Sequence, residues 1–132
     1  MASILVIEDE ANIARAVRDR LTREGHCVDA VLSGPAAFEF LRNHRPDLII
    51  LDVLMPDMDG FEVVKRLKAD EGTQNVPVML LTVLTEDERL KQHGVDAVLS
   101  KPYSGSELSR VVAGILARAA GGNHGNEKNP RS

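Results

Sequence analysis

Several short apolar runs in this chain end on residues able to do chemistry. Ile4–Ile7 runs into Glu8 and Asp9, Leu48–Leu51 into Asp52, Val76–Leu81 into Thr82, and Ala97–Leu99 into Ser100 and Lys101. If the runs are strands of an open α/β sheet, their carboxyl ends share the crevice where such sheets bind ligands. Three carboxylates meeting there repel one another, and the remedy is a hard cation with oxygen ligands. Mg²⁺, which keeps several waters and accepts few carboxylates, suits so small a set. A phosphate is the natural companion of that ion. Lys101 would bring a mobile positive charge to phosphoryl oxygens and Thr82 a hydroxyl donor. Asp52 is then the candidate nucleophile, because a carboxylate can attack phosphorus and form an aspartyl phosphate while cation and ammonium offset the charge of an in-line transfer.

The elements that must position these residues can be read from periodicity. The apolar runs, with Cys27–Leu32 as the second, alternate with longer stretches of helical period. Ile13, Val17 and Leu21 repeat every fourth residue, and Leu108, Val111, Val112, Ile115 and Leu116 form a similar stripe, most economically read as core packing. Asp59 with Glu62, Thr85 with Glu88, and Ser104 with Glu107 have capping-box spacing, and Gly25 and Gly94 supply stops. Strands that are almost wholly apolar suit a parallel sheet covered by helices on both faces. The expectation is a doubly wound α/β domain of five strands and five helices over residues 1–120. Residues 121–132 are Gly-rich without apolar period and read as a disordered tail or linker stub.

Composition narrows the function. At 132 residues the chain has room for one domain with a proper core, and 43% hydrophobic with 27% charged residues is ordinary globular usage. No apolar run approaches the roughly 20 residues of a membrane span, and Met1–Leu5 carries no basic segment of the signal-peptide kind. The expectation is a cytoplasmic protein without membrane insertion. Cys27 is the single cysteine, which rules out an internal disulfide and any multi-cysteine metal site. A net charge of −4 gives no electrostatic reason for direct nucleic-acid binding, so a protein partner is expected.

The motifs resemble the receiver domain of two-component response regulators over roughly residues 3–119: Glu8-Asp9 after Ile4-Leu5-Val6-Ile7, the stretch Pro46–Gly60 around Asp52, Thr82 closing Pro77–Leu81, and Lys101-Pro102-Tyr103. The resemblance implies a flavodoxin-like sheet of strand order 2-1-3-4-5. It implies direct Mg²⁺ ligation by Asp9, Asp52 and the backbone carbonyl of Leu54, with Glu8 acting mainly through water. Lys101 would pair with the phosphoryl group, aimed by a cis peptide to Pro102, and Thr82 would move towards it. The donor would be a histidine kinase or histidine phosphotransfer protein, the output an unidentified protein target. The only catalysis implied is the domain's own phosphorylation and slow dephosphorylation.

Some positions depart from the family pattern. Val98 stands where an aromatic residue is common, Lys101 follows Thr82 by only 19 positions, and the segment between Thr85 and Gly94 allows only a short fourth helix. Such shortening occurs in receivers of hybrid kinases. Activation is then expected to be carried by Thr82 and residues 83–93, without a ring rotating on the fifth strand. Val53, Val83 and Leu84 neighbour the phosphoryl site. Leu54 and Leu84, both apolar, cannot orient a hydrolytic water, which implies slow dephosphorylation.

Plainer readings apply to other residues. Glu10 and Asp57 taken singly are solvated loop charges, Asp59 is a helix cap, and His26, His44, His93 and His124 lack ligand spacing. A pseudo-receiver that binds protein without phosphorylation would be expected to lose Asp52 or Lys101, and both are present. A phosphohydrolase would need a second acid where Leu54 stands, and a dinucleotide fold would need a Gly-rich turn where Glu8-Asp9-Glu10 stands. Within the receiver reading, a single-domain regulator or phosphorelay shuttle and a piece of a larger regulator both fit.

Overall fold

The computed structural model describes residues 2–56, 58–83 and 94–122. Among them the order is β1 (Ser3–Ile7), α1 (Ala11–Arg23), β2 (Cys27–Val31), α2 (Gly34–Leu41), β3 (Leu48–Asp52), α3 (Gly60–Ala69), β4 (Val78–Thr82), β5 (Ala97–Ser100) and α4 (Gly105–Gly122). The strands form one parallel sheet in the order β2-β1-β3-β4-β5, as expected. α4 runs through Gly121 and Gly122, two positions into the stretch expected as a tail; the rest of that tail, the helix expected between Thr85 and Gly94, its capping pair Thr85 and Glu88, and Leu84 lie outside the described residues.

The central strands are apolar at nearly every position because both their faces are buried, and alternation sorts their side chains between two cores. Leu5, Ile7, Ile49, Leu51, Val78 and Leu80 pack with Ala37 of α2 and Phe61, Val64 and Leu67 of α3. Ile4, Val6, Leu48, Ile50, Met79 and Leu81 pack with Val17 and Leu21 of α1 and Leu108, Val112 and Ile115 of α4. The helical stripes read from the sequence are thus core. β4 starts two residues later than the apolar run from Val76, since Pro77 has no N–H to donate; its carbonyl still accepts from Ile49. β2 and β5, each with one neighbour, show alternating rather than continuous burial.

Helix ends follow the capping chemistry. Gly25, just beyond α1, has φ +96°, the left-handed conformation that closes a helix at least cost on glycine. Asp59 caps α3 by accepting from the Phe61 amide at 2.9 Å, and Ser33 caps α2 through Ala36. Gly60 answers a packing demand: a Cβ there would lie 2.5 Å from the Val53 Cα and 2.7 Å from its carbonyl oxygen, which accepts from the Gly60 amide at 2.9 Å. Backbone cannot yield as a side-chain tip can. Gly60→Ala is therefore expected to cost about 3 kcal/mol of stability. Urea unfolding checks this, and an unchanged midpoint would refute the close approach.

Candidate functional site

The alternation that sorts the cores also aims the site. Ile4, Val6 and Glu8, then Leu48, Ile50 and Asp52, then Ala97, Leu99 and Lys101, fall on the same parity of their strands, the side facing α1 and α4. Asp52 as the last residue of β3, and Glu8 and Lys101 one residue beyond β1 and β5, bring charged groups together at the carboxyl ends of the strands. Lys101 Nζ lies 3.1 Å from Asp52 Oδ2 and 3.4 Å from Glu8 Oε1. Glu8, Asp9 and Asp52 each offer an oxygen, and the three oxygens lie within 4.8 Å of one another. Glu8, Asp9, Asp52 and Lys101, inferred from the ends of apolar runs, are brought together at one end of the sheet.

Backbone bonds hold the strand ends in place. Glu8 N–H donates to the Val31 carbonyl, Val53 N–H to Leu81, and Lys101 N–H to Thr82 at 2.8 Å. The carboxylates are oriented by amides that sequence reasoning did not single out: Glu10 N–H donates to Glu8 Oε2 and Leu54 N–H to Asp52 Oδ1, each at 3.1 Å. Such bonds from the residue two places on follow from a chain turning immediately after a strand. The Lys101–Pro102 peptide is cis. The Thr82 side chain is fully buried at the end of β4.

Electrostatically the site is crowded. Glu8 is fully buried and Asp52 nearly so, while Asp9 is half-buried. Burial pushes the Glu8 carboxyl up to about 7; the Glu10 amide opposes this, the Asp52 charge adds to it, and Lys101 opposes it. For Lys101, burial alone would lower the pKa, but the hydrogen bond and charge of Asp52, with Glu8 behind them, hold it above the ordinary lysine value. Lys101 thus stays protonated as the counter-charge of this pair. Two or three carboxylates facing one ammonium leave negative charge over, and oxygen donors this close fit a small divalent cation.

Other expected residues have mixed placements. Leu54 and Val83 border the strand ends and are half-exposed, at 51% and 56%. Val53 neighbours Asp52 in the chain, but its side chain is buried in the α2 and α3 core. Val98 faces outward on β5. His26 accepts from the Ala2 amide and exposed His44 stacks on Phe40, structural roles both. Among the described residues no helix is long and apolar enough to cross a membrane.

This geometry has close relatives. The family model of the response regulator receiver domain matches residues 4–113. The transcriptional regulatory protein AfsQ1 of Streptomyces coelicolor is 39% identical over 121 residues, covering 89% of this chain and 52% of that protein, so the chain spans about half of that relative's length. The signal receiver domain of a signal transduction histidine kinase from Syntrophus aciditrophicus has a TM-score of 0.83 at 35% identity, covering 89% of this chain and 92% of that one. The receiver domain of the sensor histidine kinase PA1611 from Pseudomonas aeruginosa, solved with a magnesium ion coordinated in its active site cleft, has a TM-score of 0.79 at 28% identity, covering 88% of this chain and 98% of that one. With strand order, acidic cluster and family match in agreement, the chain belongs to the response regulator receiver domains of two-component signal transduction.

Proposed function

We propose that Asp52 accepts a phosphoryl group from the phosphohistidine of a histidine kinase or phosphotransfer protein. The single observation carrying this reading is the convergence of Asp52 with Lys101, Glu8 and Asp9 at one end of the sheet. An Asp52 carboxylate oxygen attacks phosphorus as the P–N bond to the donor imidazole breaks, and the imidazole nitrogen keeps the electron pair. Leu54 N–H orients the carboxylate by holding Oδ1, and Lys101 faces Oδ2 with the positive charge that phosphoryl oxygens require. Thr82, at the adjacent strand end, is the hydroxyl donor proposed to respond to the new group.

Asp9, Asp52 and the Leu54 carbonyl are the proposed holders of Mg²⁺, with Glu8 beside them; the magnesium in the Pseudomonas neighbour supports that choice of metal. When bound, the ion would offset the charge gathering on the phosphoryl oxygens during transfer. Intact-mass measurement after treatment with acetyl phosphate and Mg²⁺ tests the acceptor. A phosphoryl adduct is expected on wild type and none on Asp52→Asn; an adduct on both or on neither overturns the assignment.

Slow loss of the phosphoryl group belongs to the same reading. Leu54 is apolar and half-exposed beside Asp52, so its side chain cannot orient an attacking water. One added hydrogen bond of ordinary strength, about 1 kcal/mol, changes a rate several-fold. Leu54→Asn is therefore expected to speed phosphate release several-fold, and an unchanged time course would count against water positioning as the limiting factor.

A further inference from the structure

The end of β5 is joined to α4 by the short stretch 101–104, which carries Lys101. Ser104 and Glu107 form a reciprocal capping box: Glu107 N–H donates to Ser104 Oγ at 3.1 Å, and Ser104 N–H to Glu107 Oε1 at 2.8 Å. The Leu108 amide donates to the Ser104 carbonyl, which makes Ser104 the N-cap residue of α4. Tyr103 is then the residue before the cap and Leu108 the fourth of the helix, the pair that in a hydrophobic staple fixes the angle at which a chain enters its helix. Leu108 is buried in the core between the sheet, α1 and α4, and the Tyr103 ring packs against that core. The three phenylalanines lie on the opposite side of the sheet with α2 and α3, so Tyr103 is the single aromatic residue on the side that carries Glu8, Asp52 and Lys101.

The first turns of α4 are also fastened to α1. Arg20 Nε donates to Ser109 Oγ at 2.9 Å, Ser109 donates to Glu24, and Arg20 pairs with Glu24. The stretch between β5 and α4 is therefore held at both ends, by Lys101 N–H on the Thr82 carbonyl and by the capping box beyond it, with Tyr103 packed against the core beside that cap. Lys101 itself has a long, flexible stem whose ordering costs rotamer entropy, so its ammonium stays over the carboxylates only as far as its backbone is fixed.

We propose that Tyr103 is a positioning residue for phosphoryl transfer: its ring, wedged at the start of α4, fixes the backbone from which Lys101 reaches Asp52 and Glu8. This rests on the acceptor role of Asp52. Tyr103 follows Lys101 by two residues, and burial raises its phenol pKa, the Lys101 charge opposing and the Glu8 and Asp52 charges adding to the shift. The packing, not the hydroxyl, is what the role requires.

The test is a double-mutant cycle on the rate of phosphorylation of the full chain by acetyl phosphate with Mg²⁺. Tyr103→Ala is expected to slow the reaction about tenfold, since small misplacements of a group facing the reacting atoms are costly. Tyr103→Phe, which keeps the ring, is expected to react like wild type. In a Lys101→Ala background Tyr103→Ala should slow the reaction little further, because the side chain it positions is gone. A merely structural role would slow both backgrounds alike. Should Tyr103→Ala fail to fold, Glu107→Ala loosens the same cap from an exposed side chain and is expected to slow phosphorylation about threefold, again only where Lys101 is present. Equal slowing in both backgrounds, or a Tyr103→Phe as slow as the Ala variant, overturns the proposal. A phosphorylated wild type beside an unaffected Tyr103→Ala overturns the positioning role alone, whereas an unphosphorylated wild type overturns the acceptor role of Asp52 and this proposal with it.

Discussion

Asp9→Ala is expected to lose the stabilisation that Mg²⁺ confers and to lose metal-dependent phosphorylation with it. Asp9 is the most exposed of the three clustered carboxylates, and among the described residues no cation pairs with it, whereas Glu8 and Asp52 both pair with Lys101. Among the described residues its carboxylate is thus the one of the three without a paired cation. A ligand present at a hundred times its Kd stabilises a fold by about 2.7 kcal/mol, which a thermal melt reads easily. Removal of Asp9 also removes one of three mutually repelling charges, so the metal-free protein should be as stable as wild type or slightly more so. The combined signature is an unchanged or raised melting temperature without Mg²⁺, the absence of a further rise on adding it, and phosphorylation slowed by more than about a hundredfold. An Mg²⁺ affinity in Asp9→Ala equal to that of wild type by titration calorimetry would exclude Asp9 as a ligand.

Lys101→Ala is expected to show the opposite pattern in stability. The sequence alone leads one to expect a normally folded protein of little-changed stability that is defective in phosphorylation, because the phosphoryl group loses its main protein counter-charge. The structure revises the stability expectation: Lys101 pairs with both Glu8, whose side chain is 1% exposed, and Asp52, at 8%. Removing one partner of a buried pair strands the charge of the other. With the lysine itself 22% exposed, a loss of about 2 kcal/mol is expected without metal, partly relieved by a proton on Glu8 and largely restored by Mg²⁺. Phosphorylation should fall roughly a hundredfold, the scale of losing one preorganised donor at a developing charge. Melting curves with and without Mg²⁺, beside phosphorylation rates, check both parts. A variant as stable as wild type in the absence of metal would mean that the pairs contribute nothing net.

The two variants separate the roles of neighbouring charges. On the proposed reading Asp9 would serve the cation, so its loss should be felt mainly when the cation is present. Lys101 pairs with carboxylates in the metal-free protein and, on the same reading, would face phosphoryl oxygens during transfer. The same ammonium therefore has to stay mobile enough to follow the phosphoryl group yet anchored enough to find it, which is why the turn into α4 matters.

Much of this was legible in the sequence because it depends on patterns local to the chain. Alternation of short apolar runs with helical stripes determined a parallel sheet between two helical layers, and the ends of those runs identified Glu8, Asp9, Asp52, Thr82 and Lys101. Ser104 with Glu107 announced a capping box by spacing alone, since both partners lie within one turn. What only the tertiary structure decided concerns residues distant in the chain or set by local backbone direction. That Glu8 is wholly buried and bonded to Lys101, across 93 positions, follows from strand neighbours and parity, which no local pattern reports. That Val53 turns into the core while Leu54 stays at the surface depends on the return of the chain at Gly60, whose amide meets the Val53 carbonyl. Side-chain type says what chemistry is possible; the direction of each Cβ, set by strand order and loop closure, decides which groups meet.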